Sequence, residues 1–340
     1  MFSGEISLTE AYDLLENYSH NPKSSCYVSK DSKSVKDYDL TVIVPTYNNA
    51  SFLKRCLDSI INQKSQYKVQ VIIINDGSTD NTVELLQFYD EMPGVTIINQ
   101  PNKGLGGARN TGLDISKGKY IAFVDAGDRL ADGAIQKMLS TALAYDADVV
   151  AGNFIYVYEN GKLKKENKRH RDEQIKAQGN LAGFAWGKIY KAYLFDHLRF
   201  PEGYWFEDSV MAQIIWPMAN NVHTISDIVY EYTVNSKGIT ATSRSSEKAV
   251  DSLYITEQLL KDKKLFGLQL AKAEFEYFLS MVRLTYQRNR LCSGEIAKAI
   301  FVVQCELYKQ FFGLKSDNNL DLQKTLAECN YVKYVNIVSK

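Results

Sequence analysis

The sequence predicts an α/β fold, in which a mostly parallel sheet has helices on both faces and an all-helical addition follows. Between about residues 40 and 150, short apolar runs alternate with stretches of helical periodicity. A polar, often glycine-rich segment follows each apolar run, and from Ser246 onward the apolar residues recur at helical spacing alone. Ligands of such sheets bind at the carboxyl ends of the strands, so we expect the site there.

Each element of this alternation has a local cause. Strands are expected at the mainly apolar stretches Leu40–Val44, Val69–Ile74, Val95–Ile98, Tyr120–Val124, Val149–Val150 and Ile225–Val234. Helices are expected at Leu8–Tyr18, Leu53–Ile61, Asn81–Phe88, Leu105–Ser116 and Ala131–Tyr145. Asn160–Gly161 stands between alternating residues and predicts a β-hairpin.

Composition and patterning divide the chain into an N-terminal arm (1–39), an α/β domain (40–244) and a helical C-terminal domain (245–340). Forty basic and forty acidic residues cancel, which argues against a nucleic-acid-binding surface. The five cysteines show no CxxC spacing and are expected to be reduced thiols of a cytosol. No apolar run reaches the roughly 18 residues of a membrane span. We expect a cytoplasmic protein that is peripheral, at most, to the inner face of the membrane.

Four polar segments follow the first four strands: "PTYNN" (45–49), "NDGSTD" (75–80), "NQPNKGLGGARNTG" (99–112) and "DAGD" (125–128). In a parallel sheet these tips meet in one crevice. Glycine turns, helix N-termini, an arginine and carboxylates suit a nucleotide diphosphate with a divalent metal.

Two phosphate-binding motifs are excluded. In "GLGGARNTG" the third glycine of a dinucleotide fingerprint would stand at position 109, which is Arg109. The chain contains no GxxxxGK[ST] segment. A nucleotidyltransferase would need a Gly- and Lys/Arg-rich signature near the first strand, and "PTYNNASF" has none.

Four segments together resemble the family 2 glycosyltransferases of the GT-A fold. They are "TVIVPTYNNASFLKRCLDSIINQ", "VIIINDGSTDNT", "NKGLGGARNTGLDISKGKYIAFVDAGD" and "WGKIYKAYLFDHLRFPEGYWFEDSVM". They occur in order from about Leu40 to Thr242, each where a strand end is expected. The resemblance implies a Rossmann-like GT-A catalytic domain.

The resemblance also implies a donor site. Pro45, Thr46 and Tyr47 match the segment that lines the nucleotide base, although a strand-ending turn explains them as well. Asp76 matches the acid that binds the uracil edge; an Asx turn or a helix cap is its alternative role. Lys103 and Arg109 match the segment that approaches the diphosphate.

"DAGD" matches the metal-binding acids of the family, except that Gly127 replaces the middle carboxylate. Asp125 is expected to touch the ribose or a metal, and Asp128 to complete a Mn²⁺ or Mg²⁺ site. The alternative is that Asp128 caps the helix that starts near Ala131.

Asp208 matches the general base of the family and Glu207 its acidic neighbour, while a helix start rich in acids is the alternative. Trp186 and Lys188 match the acceptor side, where a core tryptophan with an exposed lysine is also compatible with the sequence.

The resemblance implies an inverting transferase that moves a hexose, galactose or glucose being favoured, from a UDP-sugar to a hydroxyl group. The expected acceptor is a glycan or glycosylated protein in bacterial cell-surface biosynthesis. A catalytically weak UDP-sugar-binding subunit of a glycosyltransferase complex is the alternative, suggested by Gly127. The C-terminal helices are expected to contact a partner or a second copy.

Overall fold

A computed structural model describes residues 6–20, 24–29, 36–177, 179–235, 246–270, 272–313 and 321–339. The chain forms two compact units. The sheet unit comprises Cys26–Gly203 and Glu207–Asn235. The helical unit contains the described residues up to Ser25 and from 246 onward, together with the tripeptide Tyr204–Phe206.

The sheet unit is built on one ten-stranded mixed sheet. Its strands are β1 Tyr38–Thr46, β2 Val69–Asn75, β3 Val95–Asn99, β4 Gly118–Phe123, β5 Arg129–Leu130, β6 Val149–Val157, β7 Leu163–Asn167, β8 Glu173–Ile175, β9 Lys188–Lys191 and β10 Val222–Thr233. The order β3-β2-β1-β4-β9-β6-β10-β5 forms the main path, with β7 on β6 and β8 on β10. The predicted mostly parallel sheet is confirmed. The antiparallel strand β9, inserted between β4 and β6, was not predicted.

The first strands are buried because their apolar runs pack on both faces, as parallel strands require. Their carboxyl ends are in register, since Thr46 pairs with Asn75 and Asn75 with Asn99. Ile43 of β1 pairs with Phe123 of β4, two residues before Asp125. The tips of these strands therefore lie along one edge, as predicted.

Five helices accompany this sheet: α2 Ala50–Ile61, α3 Thr82–Leu86, α4 Gly104–Asp114, α5 Ala134–Tyr145 and the single turn α6 Trp216–Met218, which continues a π-helical segment, Met211–Ile215. Asn81 is the N-cap of α3 but makes no capping bond with its side chain. Asp80 accepts hydrogen bonds from Thr82 N and Ala50 N, both at 3.1 Å, and so links the starts of α3 and α2. The predicted hairpin at Asn160–Gly161 joins β6 and β7.

The helical unit has its own apolar core. Its helices are α1 Leu8–Glu16, α7 Asp251–Asp262, α8 Lys272–Asn289, α9 Gly294–Phe311, α10 Asp321–Ala327 and α11 Tyr331–Val338. Ala11 and Leu15 of α1 are buried in the same core as Tyr254, Phe301 and Tyr308. The predicted N-terminal arm is therefore not a separate element, since its helix packs with the C-terminal helices. The predicted boundary at 244/245 lies outside the described residues.

Candidate active site

Asp125 lies at the end of β4, where the apolar strand gives way to a turn. Its side chain is 31% exposed, so it is the acid of this turn that faces open space. Its backbone N–H donates to the hydroxyl of Tyr230 at 3.1 Å, and its carbonyl accepts from Asp128 N at 2.9 Å. These bonds fix the turn from both ends.

Asp128 is buried, and both carboxylate oxygens already have partners. Oδ2 accepts from the Tyr230 hydroxyl at 2.9 Å, and Oδ1 accepts from Thr233 N at 2.7 Å. Burial, together with the nearby charge of Asp125, raises the pKa of Asp128 to about 8. Both carboxylate oxygens of Asp128 are thus engaged, and its role as a metal ligand stays a prediction. The capping alternative is wrong, because α5 begins at Ala134 and its N-cap is Gly133.

Arg109 occupies the centre of the site. It extends from α4, is 2% exposed, and forms two charged hydrogen bonds. Nη2 donates to Asp125 Oδ1 at 3.0 Å and Nη1 to Glu207 Oε1 at 2.6 Å. The guanidinium thus joins the β4 tip to the acidic loop, although 98 residues separate Arg109 from Glu207. It was predicted to approach a diphosphate, and in this structure its charge is already shared by two carboxylates.

Glu207 and Asp208 differ in environment. Glu207 is buried, which raises its pKa to about 7, while Arg109 opposes that shift. Asp208 is only partly buried, and its carbonyl accepts from Met211 N at 2.9 Å at the start of the π-helical segment. The two acids therefore also stand at a helix start, which was the alternative interpretation. Of the pair, Asp208 is the acid that solvent reaches.

The loop that leads to these acids is anchored within the helical unit. Trp205 N donates to the fully buried Asp251 carboxylate at 2.7 Å. Phe206 has a positive φ of 65°, which is unfavourable for a bulky side chain. The guanidinium of Arg288 lies 3.6 Å from the centre of the Phe206 ring. The residue directly before Glu207 is thus held in a strained conformation by contacts of its own unit.

The predicted nucleotide-binding residues line the carboxyl ends of β1 and β2. Tyr47 is 50% exposed and available for stacking, whereas Thr46 is buried. Asp76 is buried, and its Oδ1 accepts from Gln100 Nε2 at 2.7 Å and from Lys103 N at 2.9 Å. The side chain of Asp76 therefore fixes the start of α4. Lys103 itself is exposed.

Trp186 and Lys188 are both buried, so the alternative of a core tryptophan with an exposed lysine is wrong for the lysine, and the acceptor-side role stays a prediction. Trp186 stacks between Phe184 and Tyr230, with ring centres 3.7 and 4.6 Å apart. Lys188 Nζ donates to the carbonyls of Phe184 and Trp186 at 2.9 and 3.2 Å. Burial lowers the pKa of Lys188 to about 7.

Tyr230 belongs to the site although no sequence pattern marks it. It is fully buried in β10, and its hydroxyl contacts both acids of the "DAGD" turn. In "IVYEYT" it looks like any inward-facing strand residue. A partner more than 100 residues away in the chain cannot be read from local periodicity.

The mixed sheet and the acids at its strand ends define a GT-A glycosyltransferase domain. Residues 41–202 match the family model described as glycosyl transferase family 2. This segment, slightly less than half of the chain, is a domain of glycosyltransferase family 2, a family of enzymes.

Two streptococcal proteins illustrate the relationship. The chain is 33% identical to the glycosyltransferase GlyA of Streptococcus pneumoniae over 58% of its own length but only 31% of that protein. It is 28% identical to the glycosyltransferase GlyG of the same species over 82% of this chain and 98% of GlyG. The alignment therefore spans less than a third of the first relative and nearly all of the second.

The solved structure of S. aureus TarS residues 1–349 in complex with UDP-GlcNAc has a similar fold. The TM-score is 0.58 at 18% identity, over 88% of this chain and 90% of that one. At this identity the likeness supports the fold alone. Within the residues that the structure describes, no helix is long and apolar enough to cross a membrane.

Proposed function

We propose that this protein transfers a hexose from a UDP-sugar to a hydroxyl group of a glycan acceptor, with inversion at the anomeric carbon. The observation that carries the proposal is the bridge formed by Arg109 between Asp125 at the β4 tip and Glu207 beside Asp208. This bridge brings the proposed donor side and the proposed base together around one buried cation.

The chain's own groups support a single displacement. Asp208, which solvent reaches, takes the proton of the acceptor hydroxyl, and the oxygen attacks the anomeric carbon. Glu207 is tied to Arg109 and orients the loop. Tyr47 offers an exposed ring for the base. UDP leaves with the electron pair of the broken bond, and no covalent enzyme intermediate is needed.

A divalent ion fits this site through Asp125 alone. Oδ2 of Asp125 has no hydrogen bond among the described residues, whereas Asp128 is buried and engaged. No group of three or more His, Cys, Asp or Glu residues in the described part of the chain is arranged to hold a metal. Mn²⁺ or Mg²⁺ would take its other ligands from the diphosphate and water, and would neutralise the charge of the leaving group.

The relatives and the structural neighbour bear on the donor sugar and on the acceptor. We propose galactose or glucose as the sugar, and N-acetylglucosamine belongs in the same test because the TarS structure contains UDP-GlcNAc. We place the reaction in bacterial polysaccharide or glycoprotein biosynthesis, which the streptococcal glycosyltransferase relatives support. A UDP-sugar-binding subunit with weak catalysis is the second candidate, favoured by the single accessible carboxylate at the "DAGD" turn.

The test compares the wild type with Asp208→Asn. UDP release from UDP-glucose, UDP-galactose and UDP-N-acetylglucosamine is measured with and without Mn²⁺, and UDP binding by calorimetry. We expect Asp208→Asn to bind UDP normally and to lose about 10²–10⁴-fold in turnover. Asp90→Asn, at an exposed position away from the strand tips, is the matched control. Normal UDP binding by a wild type that turns over no donor would favour the binding subunit.

A further inference from the structure

A second concave site lies in the sheet unit, next to the C-terminal half of β6. Its volume is about 220 Å³, which suits one sugar or phosphate unit better than a whole nucleotide sugar. Among the residues that line it are Asn153, Arg169, His170, Phe184 and Lys188. Except for Phe184 and Lys188, none of these belongs to the site described above.

The lining of the pocket is basic, and the acids that act on it, Glu173 on His170 and Asp208 on Lys188, stand outside the lining. No Asp or Glu is among the described residues that line this pocket. Arg169 forms no ion pair within the described part of the chain, and Lys188 Nζ bonds only to carbonyl oxygens there. Burial lowers the pKa of His170, and the charges of Lys188 and Arg169 lower it further. Lys188 and the exposed Arg169 are therefore close enough to His170 for their charges to act on it, in a chain whose net charge is zero.

The pocket wall is held rigidly by one buried side chain. Asn153 is 1% exposed and makes four hydrogen bonds. Oδ1 accepts from Arg169 N at 2.7 Å and from His170 N at 2.8 Å, while Nδ2 donates to His170 O at 3.0 Å and Ser226 O at 2.9 Å. The backbone that carries the two basic side chains is thus fixed before any ligand arrives, which lowers the entropic cost of binding.

Lys188 places one wall of the pocket near the carboxyl end of β4. Lys188 pairs with Ala151 of β6, and Ile189 pairs with Ala122 of β4, so Lys188 is level with the end of β4. The charge of Asp208 also acts on Lys188 and opposes the lowering of its pKa by burial. A molecule in the pocket would therefore lie near the acid that deprotonates the acceptor.

We propose that this pocket binds an oxyanion, a phosphate or a carboxylate, carried by the acceptor. The assignment to the acceptor rests on the proposed function. Arg169 provides a planar pair of donors for the oxyanion, while His170 and Lys188 add donors at its sides. The acceptor is then an anionic glycan or glycan phosphate.

The test uses small probes and the four histidines of the chain. Protein with ¹³C-labelled histidine is saturated with UDP and titrated with glucose 6-phosphate, glucuronic acid or neutral glucose, while the ring signal of His170, assigned with His170→Gln, is followed by NMR. We expect both anions to shift this signal and glucose to leave it unchanged. The tighter of the two anions identifies the source of the oxyanion.

Two variants sharpen the result. Arg169→Gln should weaken anion binding about tenfold or more, because a charged hydrogen bond is lost. Lys165→Gln removes one positive charge from β7, outside the pocket, and should change the anion affinity less than twofold. Three outcomes would overturn the proposal. Glucose could shift the His170 signal as much as the anions do, both variants could lose the same anion affinity, or UDP could exclude the anions. Failure to bind UDP would instead refute the proposed function. The two failures can be told apart, because the anion titration repeated without UDP still reports on the pocket.

Discussion

Replacing Arg109 with methionine tests the central ion bridge. The substitution removes both charged hydrogen bonds and leaves Glu207 as a buried carboxylate without a counter-charge. Breaking a buried pair in this way costs about 3–5 kcal/mol. The contribution of Asp125 is small, because its side chain is 31% exposed and solvent screens it. We therefore expect Arg109→Met to lower the free energy of unfolding by about 3–5 kcal/mol at pH 8.

The stability lost in Arg109→Met depends on pH because Glu207 titrates. Its pKa in the folded protein is raised to about 7, so the folded state holds a proton that the unfolded chain releases near 4.5. Stability linked to Glu207 is therefore present at low pH and is lost as the pH rises through 7. Without Arg109 the pKa rises further, and at pH 5.5 Glu207 is neutral. The loss at pH 5.5 should fall to about 1–2 kcal/mol, the cost of a missing hydrogen bond.

The assay is urea unfolding of the wild type and Arg109→Met at pH 5.5 and pH 8. The double variant Arg109→Met/Glu207→Gln is the control, because no titrating group remains at position 207. The difference in unfolding free energy between the double variant and Glu207→Gln should therefore be the same at both pH values. A loss for Arg109→Met that is as large at pH 5.5 as at pH 8 would refute the assignment of the pH dependence to Glu207.

Two further substitutions probe the "DAGD" turn. Gly127→Asp places a carboxylate where an added Cβ meets nothing within 4 Å. We therefore expect tighter Mn²⁺ binding in the presence of UDP, measured by calorimetry. Unchanged Mn²⁺ affinity would mean that this position does not face the metal. Tyr230→Phe removes the hydroxyl that bonds Asp125 N and Asp128 Oδ2, and should cost about 1–3 kcal/mol in urea unfolding, whereas a loss below about 0.5 kcal/mol would contradict the role given to this hydroxyl.

The parts of the fold and site that could be predicted are those encoded locally. The apolar runs of β1 and β2 and the polar segments after them identify both strands and the edge where they end. The resemblance to family 2 singled out Arg109, Asp125 and Glu207, and the structure brings these three together. Their metal, donor and catalytic roles stay predictions.

What could not be predicted depends on distant partners. The burial of Asp128 follows from Tyr230 and Thr233, which come from a strand more than 100 residues later. The basic pocket needs Asn153 to hold Arg169 and His170, and nothing near Asn153 in the sequence signals this. Strand β9 is short and bounded by a glycine and a 3₁₀ turn, so its pattern was too brief to indicate a strand.

The anchoring of Tyr204–Phe206 limits how this chain can be shortened or recombined. A variant that ends near residue 245 would keep the whole sheet but lose Asp251 and Arg288, the groups that hold Trp205 and Phe206. The strained φ of Phe206 would then be free to relax, and Glu207 follows it directly. Exchange of the C-terminal helices between relatives would therefore have to carry this tripeptide along, so the two parts are expected to change together in evolution.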